Sequence, residues 1–253
     1  MALAQFRDPR VKAREATVAK SLEGNWQTEL LFVLQQELES YQTFQTKIAE
    51  CDRQLQRHYA TMEAKADPKQ LPPIPRNKRP HGNVPAGFDL RDELYRTTGV
   101  DLTAIDGINV LTAQTLIAEV GSDMDRFHTE AHFVSFLNLS PNNKISGGKV
   151  VGREKRKTKN RAGVALRLAA GTLLESDTYL GAQYRRLRTK LGAPKARKAM
   201  ANKLARIAYR MLKYGEKYVD KGKEFYEQKY RQIQIRMLNK KATELGFKLV
   251  QPA

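Results

Sequence analysis

One cysteine, Cys51, and one tryptophan, Trp26, stand in 253 residues. A lone thiol closes no intrachain disulfide and builds no cysteine-based zinc site. No apolar run reaches spanning length, and no signal-peptide or lipidation pattern appears, so a cytoplasmic protein with no membrane partner is expected. No β-alternating segment of useful length stands out, which leaves a mainly α fold as the expectation. His128 and His132 are four apart but lack a clear third ligand, and no metal is expected in the chain. The most telling scarcity is of acid. From 144 to 248 there are 29 Lys or Arg and 8 Asp or Glu, a balance of +21, while the rest of the chain carries −3. The whole net charge of +18 therefore lies in one half. Such asymmetry is expected where one half meets a polyanion, nucleic acid first.

The pattern divides the chain into three parts. In 1–66, Asp8 and Pro9 suit a helix start and Gly24 a stop, predicting a helix from Asp8 to Leu22. Between Trp26 and Met62 there is neither Pro nor Gly, and Leu30, Leu34, Leu38, Tyr41, Phe44, Ile48, Leu55 and Tyr59 recur at helical steps. That predicts a long amphipathic helix that pairs with another, as a hairpin or coiled coil, within the chain or across a homo-oligomer. Residues 67–88 hold six of the ten prolines and read as an extended linker or wrapping arm. In 89–253, a short helix opens at Asp89 and ends at Gly99. A helix-hairpin-helix over 97–121 follows, turning at "DGIN" (106–109). There Gly107 permits a sharp turn, and the first amides of the second helix can face a phosphate. Asn109 stands where glycine is commoner, and an ordinary helical hairpin fits the same spacing. A basic loop spans 138–161, and helices are expected over 162–248, one of them running to Asp220 with Leu204, Ile207, Ala208, Met211, Leu212 and Tyr218 as its apolar stripe.

The basic loop concentrates the chemistry. Lys149, Arg153, Lys155, Arg156, Lys157, Lys159 and Arg161 fall within thirteen residues, opposed only by Glu154. Cations at this density attract phosphates strongly, salt-sensitively and without regard to sequence. Few aromatics interleave with them, so backbone contact rather than base stacking is expected. Ser146, followed by Gly147 and Gly148, is either a plain loop turn or a nucleophile. As a nucleophile it needs a base or metal to remove its proton and cations such as Lys144, Lys149 and Arg153 to neutralise the developing charge. The residues alone identify no base.

Several motifs carry a family resemblance: "RTTGVDLTAIDGIN", "KISGGK", "NRAGVALRLAA", "LGAQYRRLRTKLG" and "KLARIAYRMLKYGEKYVD". From about Asp89 onward the chain resembles the C-terminal transposase domain of the DEDD-type bacterial insertion-sequence transposases, relatives of the pilin-gene DNA invertase, some of them guided by a bridge RNA. The helices before it resemble the coiled-coil segment that precedes that domain. The resemblance implies DNA as partner, a guide RNA as a further one, a nucleoid-associated bacterial setting, and Ser146 as the serine joined covalently to DNA, with Ser140 the alternative. Nucleic-acid contacts are expected at Lys144, Lys149, Arg153, Lys155, Arg156, Lys157, Lys159, Asn160, Arg161, Arg167, Arg185 and Arg186, and at Gly107 and Asn109. It further implies a nuclease-like RuvC or RNase H domain whose Asp-Glu-Asp-Asp set holds Mg²⁺. This chain starts within the region following that domain, so those carboxylates are expected to be missing, the metal role does not pass to Asp101, Asp106, Asp123 or Asp125, and the chain alone is expected to bind nucleic acid and recombine little. The other reading is a non-catalytic protein that binds DNA or RNA.

Overall fold

The structure, a computed structural model, describes residues 2–24, 27–73, 83–121, 123–141, 143–153, 159–248 and 250. It is mainly helical, as expected, and divides into two compact units, Met1–Leu55 and Gln56–Ala253.

In the first unit a 3-10 turn, Ala2–Phe6, precedes α1 (Glu15–Ser21), and α2 (Thr28–Thr61) begins. The first helix starts later than Asp8-Pro9 suggests. The Asp8 carboxylate accepts from Arg10 N and Nε at 2.8 and 2.9 Å, and Arg7 donates to Val11 O and Ala13 O, so these side chains close a turn where a helix was expected. The long helix is present. Its stripe of Leu30, Leu34, Leu38, Tyr41, Phe44 and Ile48 is exposed in the single chain.

The second unit starts at the end of α2, where Tyr59 is buried and packs at 6.1 Å from the Phe88 ring. Arg96 of α3 (Leu90–Thr98) donates to the Tyr59 and Met62 carbonyls and fixes that end. Asp89 caps α3 by accepting from Arg91 N and Asp92 N, and Gly99, at φ 79°, closes it. The described part of the Pro-rich stretch lies against α3. Pro68–Gln70 forms a 3-10 turn capped by Asp67, and Pro72 O accepts from Arg91 Nη2 at 2.8 Å. Residues 74–82 of the expected linker lie outside the described residues.

The remaining helices are α4 (Val110–Val120), α5 (Glu130–Phe136), α6 (Arg161–Thr172), α7 (Tyr179–Leu191), α8 (Ala193–Tyr214) and α9 (Gly222–Glu244). α8 is central, packing on α5, α6 and α7. Ala162, Ala169, Ala170, Ala201, Ala205 and Ala208 are buried, and such small residues let helix backbones approach closely around Leu116, Phe133, Leu166 and Leu204. Tyr209 is fully buried, and burial of its hydroxyl is offset by donation to Phe127 O at 2.9 Å.

Two further expectations differ from the structure. α8 stops at Tyr214, not Asp220, because Gly215 takes a left-handed φ of 67° and ends the helix. Tyr218 is therefore not part of the α8 stripe; it lies in the following loop and donates its hydroxyl to Asp106 Oδ2 at 2.8 Å. The segment read as having no strand holds a hairpin. β1 (Asn143–Ser146) pairs antiparallel with β2 (Lys149–Arg153), with a bulge at Lys144/Ile145.

Candidate nucleic-acid interface

The hairpin is an excursion from the helical core, pinned at both ends. On the outward side Asn138 takes a left-handed φ of 57° after α5, Leu139 is buried, and Asn202 donates to Leu139 O at 3.4 Å. On the return, the Asn160 side chain caps α6 by accepting from Gly163 N at 2.8 Å, and Ala162 is buried. The two ends touch: a Cβ on Gly163 would stand 2.1 Å from Leu137 O, so only glycine lets α6 pass this close to the α5 terminus.

Between these anchors β1 and β2 pair with each other. Gly147 and Gly148 have φ of 55° and 74°, the two positive values that a two-residue hairpin turn of type I′ requires. The turn makes Ser146 and Lys149 direct cross-strand partners. Residues so paired carry Cβ atoms about 4.5–5.5 Å apart on one face. Ser146, Lys144 and Lys149 are all exposed, and among the described residues the Ser146 hydroxyl makes no hydrogen bond and neither lysine is in an ion pair. Alternation along the strands puts the exposed pair Ile145 and Val150 on the opposite face. At the base, Asn143, partnered with Arg153, keeps a buried Oδ1 with no hydrogen bond.

The other expected contacts divide. Lys159 is exposed next to this hairpin, and Arg161 is exposed while pairing with Glu119 at 2.9 Å. Arg167 is half-buried on α6. Lys155, Arg156, Lys157 and the Arg153 side chain lie outside the described residues. Arg185 and Arg186 have work inside the fold. Arg185 donates to Leu174 O and Ser176 O, and Arg186 donates to Tyr226 OH at 2.6 Å and lies over the Tyr230 ring at 3.8 Å, holding α9. Gly107 is likewise accounted for by packing, since at φ 82° a Cβ would meet Ala169 O at 2.7 Å. Asn109 has extended, not left-handed, backbone, and caps α4 by accepting from Thr112 N at 2.8 Å. The element before it is a single 3-10 turn, Leu102–Ala104.

The acidic residues of this region are bound to protein groups. Asp101 pairs with Arg91 at 2.6 Å and accepts from Thr103; Asp123 accepts from Asp125 N; Asp125 pairs with Lys213. The Lys213 hydrogen bond, reinforced by its charge, holds the Asp125 carboxyl below its ordinary value. Burial works against ionising Glu130, yet hydrogen bonds from Arg210 and Arg206 outweigh it, and its carboxyl also titrates low. Among the described residues no group of three or more His, Cys, Asp or Glu side chains lies close enough to hold a metal. Nor is any helix among them long and apolar enough to cross a membrane.

Residues 101–186, from the Asp101-capped turn through the hairpin to the middle of α7, match the family described as Transposase IS116/IS110/IS902 family. No curated protein matches the chain. That match, over about a third of the chain, supports an insertion-sequence transposase domain there.

Proposed function

We propose that the chain works in DNA transposition by gripping a DNA backbone with its basic hairpin and presenting Ser146 to a phosphodiester. The observation that carries this reading is the exposed Ser146 hydroxyl, paired across a two-residue turn with the uncommitted cation Lys149 on a hairpin pinned at its base. In the proposed step Ser146 Oγ bonds to phosphorus and one deoxyribose oxygen leaves as an alcohol, taking up the proton the serine gives. The phosphodiester is exchanged for a serine–DNA phosphodiester, so no bond energy is lost to water. Lys149 and Lys144 offset charge developing on the non-bridging oxygens. The exposed stripe of α2 supports self-association, and a guide RNA would be attracted by the same excess of cations.

A second reading has its own support: among the described residues no base contacts Ser146. On that reading the hairpin only binds nucleic acid. The test supplies the nuclease-like domain of the resembled transposases in trans and follows denaturant-resistant protein–DNA adducts. The nucleophile reading expects adducts with the wild-type chain and none with Ser146→Ala, DNA affinity being unchanged. Adducts that persist in Ser146→Ala remove the serine from the chemistry. DNA binding with no adduct from either chain favours the binding-only reading.

A further inference from the structure

α7, α8, α9, the loop after α8 and Glu130 of α5 line an open cleft of about 700 Å³ that shares no residue with the hairpin. Its lining brings together residues far apart in sequence: Lys203, Arg206 and Arg210 of α8, Lys217 of the loop, and Phe225 and Lys229 of α9. With Lys221 the lining holds six cations against three carboxylates, and two of the three are in use. Glu130 is bound by Arg206 and Arg210, and Asp220 accepts from Tyr179 N at 3.0 Å. Among the described residues Lys203, Lys217 and Lys229 are in no ion pair.

This arrangement is costly without an anion. The Lys203 ammonium is pushed below its ordinary pKa by partial burial and then by the Arg210 charge; Glu130 opposes this, and Lys229 and Arg206 add to the lowering. Like charges held together by packing lower their mutual energy when a polyanion enters. Phe225 supplies a different surface. It is exposed, lies four residues before Lys229 on the same face of α9, and carries Lys221 Nζ 5.1 Å from its ring centre. An exposed ring beside a row of cations is the pairing that single strands use: phosphate on the cations, base on the aromatic face. A cleft of this volume lies within the small-ligand range of about 300–1,000 Å³, which suits an unpaired nucleotide or two and not a duplex.

We propose that the cleft binds a single-stranded stretch of nucleic acid, with a phosphodiester among Lys203, Arg210 and Lys229 and the adjoining base on Phe225. The site stands apart from the Ser146 reading and holds whether or not that serine reacts.

The test measures binding of labelled oligothymidylate, oligouridylate and a mixed-sequence DNA duplex to the full chain across a salt series. Phe225→Ala is expected to weaken single-strand binding roughly tenfold, and Phe225→Tyr to keep it. Lys203→Gln with Lys229→Gln is expected to flatten the single-strand salt slope by about 1.4, with a much smaller change for the duplex. The same losses are expected in a Lys144→Gln/Lys149→Gln background, which separates the cleft from the hairpin. Loss on either single strand supports the site, and the more tightly held strand tells whether its natural occupant is DNA or RNA. Lys229→Gln alone, a change at an exposed position, guards against misfolding. Single-strand affinity unchanged by Phe225→Ala, or equal losses on duplex and single strand, would overturn the proposal.

Discussion

Ser146 and Lys149 face each other across the Gly147-Gly148 turn as the cross-strand pair that flanks it. The pairing gives the serine a cationic neighbour through backbone register alone, without a long side chain having to find it. It also makes the turn residues part of the site.

Replacing Gly148 with Val forces a β-branched residue to φ near 74°, a left-handed conformation that costs roughly 1–2 kcal/mol. Hydrogen exchange at the Lys149 amide, which closes the turn, should accelerate while the melting midpoint stays in place, because the hairpin packs mainly on itself. Gly147→Asn, which tolerates positive φ, should preserve the slow exchange. Equal behaviour of the two variants would refute the type I′ turn.

Backbone contact should appear as salt dependence. Each phosphate engaged on duplex DNA contributes about 0.9 to the slope of log affinity against log salt, so Lys144→Gln with Lys149→Gln should flatten the slope by about 1.8. Fluorescence anisotropy with a random-sequence duplex measures this directly. A slope that does not change places the duplex elsewhere on the protein.

Gly163→Ala drives a methyl group into Leu137 O and should cost roughly 1–3 kcal/mol, as overpacking does. Thermal unfolding should show a fall of about 2–4 °C for each kcal/mol. Gly152→Ala, whose added Cβ meets nothing within 4 Å, is the control and should melt like the parent.

Tyr218 sets an alkaline limit. Burial and the nearby Asp106 charge, with the hydrogen bond between them, push its phenol well above the ordinary value of 10.0. A group whose folded pKa is raised stabilises the fold fully below its unfolded pKa and loses that contribution as pH rises beyond it. Stability should therefore fall above about pH 10, and Tyr218→Phe should lose this component while being less stable at neutral pH. Urea unfolding at neutral pH and at the alkaline end checks both signs. Parallel curves for the two proteins would exclude Tyr218 as the cause.

Features set by short-range chemistry were legible in the sequence. Asp89 and Gly99 bound α3, and α4 ends at Gly121, because caps act on amides and carbonyls only a few residues away. The hairpin was hidden. Strands of four and five residues, offset by a bulge and with Lys144, Lys149 and Arg153 among them, carry too little alternation to read. Tyr218 continued the apolar spacing of α8, yet its partner is Asp106, over a hundred positions earlier, a relation no local pattern contains. Arg185 and Arg186 look like nucleic-acid ligands by type; whether a guanidinium meets phosphate or its own chain depends on where Tyr226 and the Leu174 and Ser176 carbonyls come to lie. The cleft was invisible for the same reason, since it exists only once α8 and α9 have both packed on α7.

The abutment of Leu137 and Gly163 has an evolutionary corollary. Whatever lies between them starts and finishes at one spot, so insertions, deletions or wholesale exchange of that tract alter ring-closure entropy only logarithmically and leave the helical scaffold untouched. Selection can thus retune the hairpin as an interchangeable cartridge, with the surrounding architecture serving as its socket.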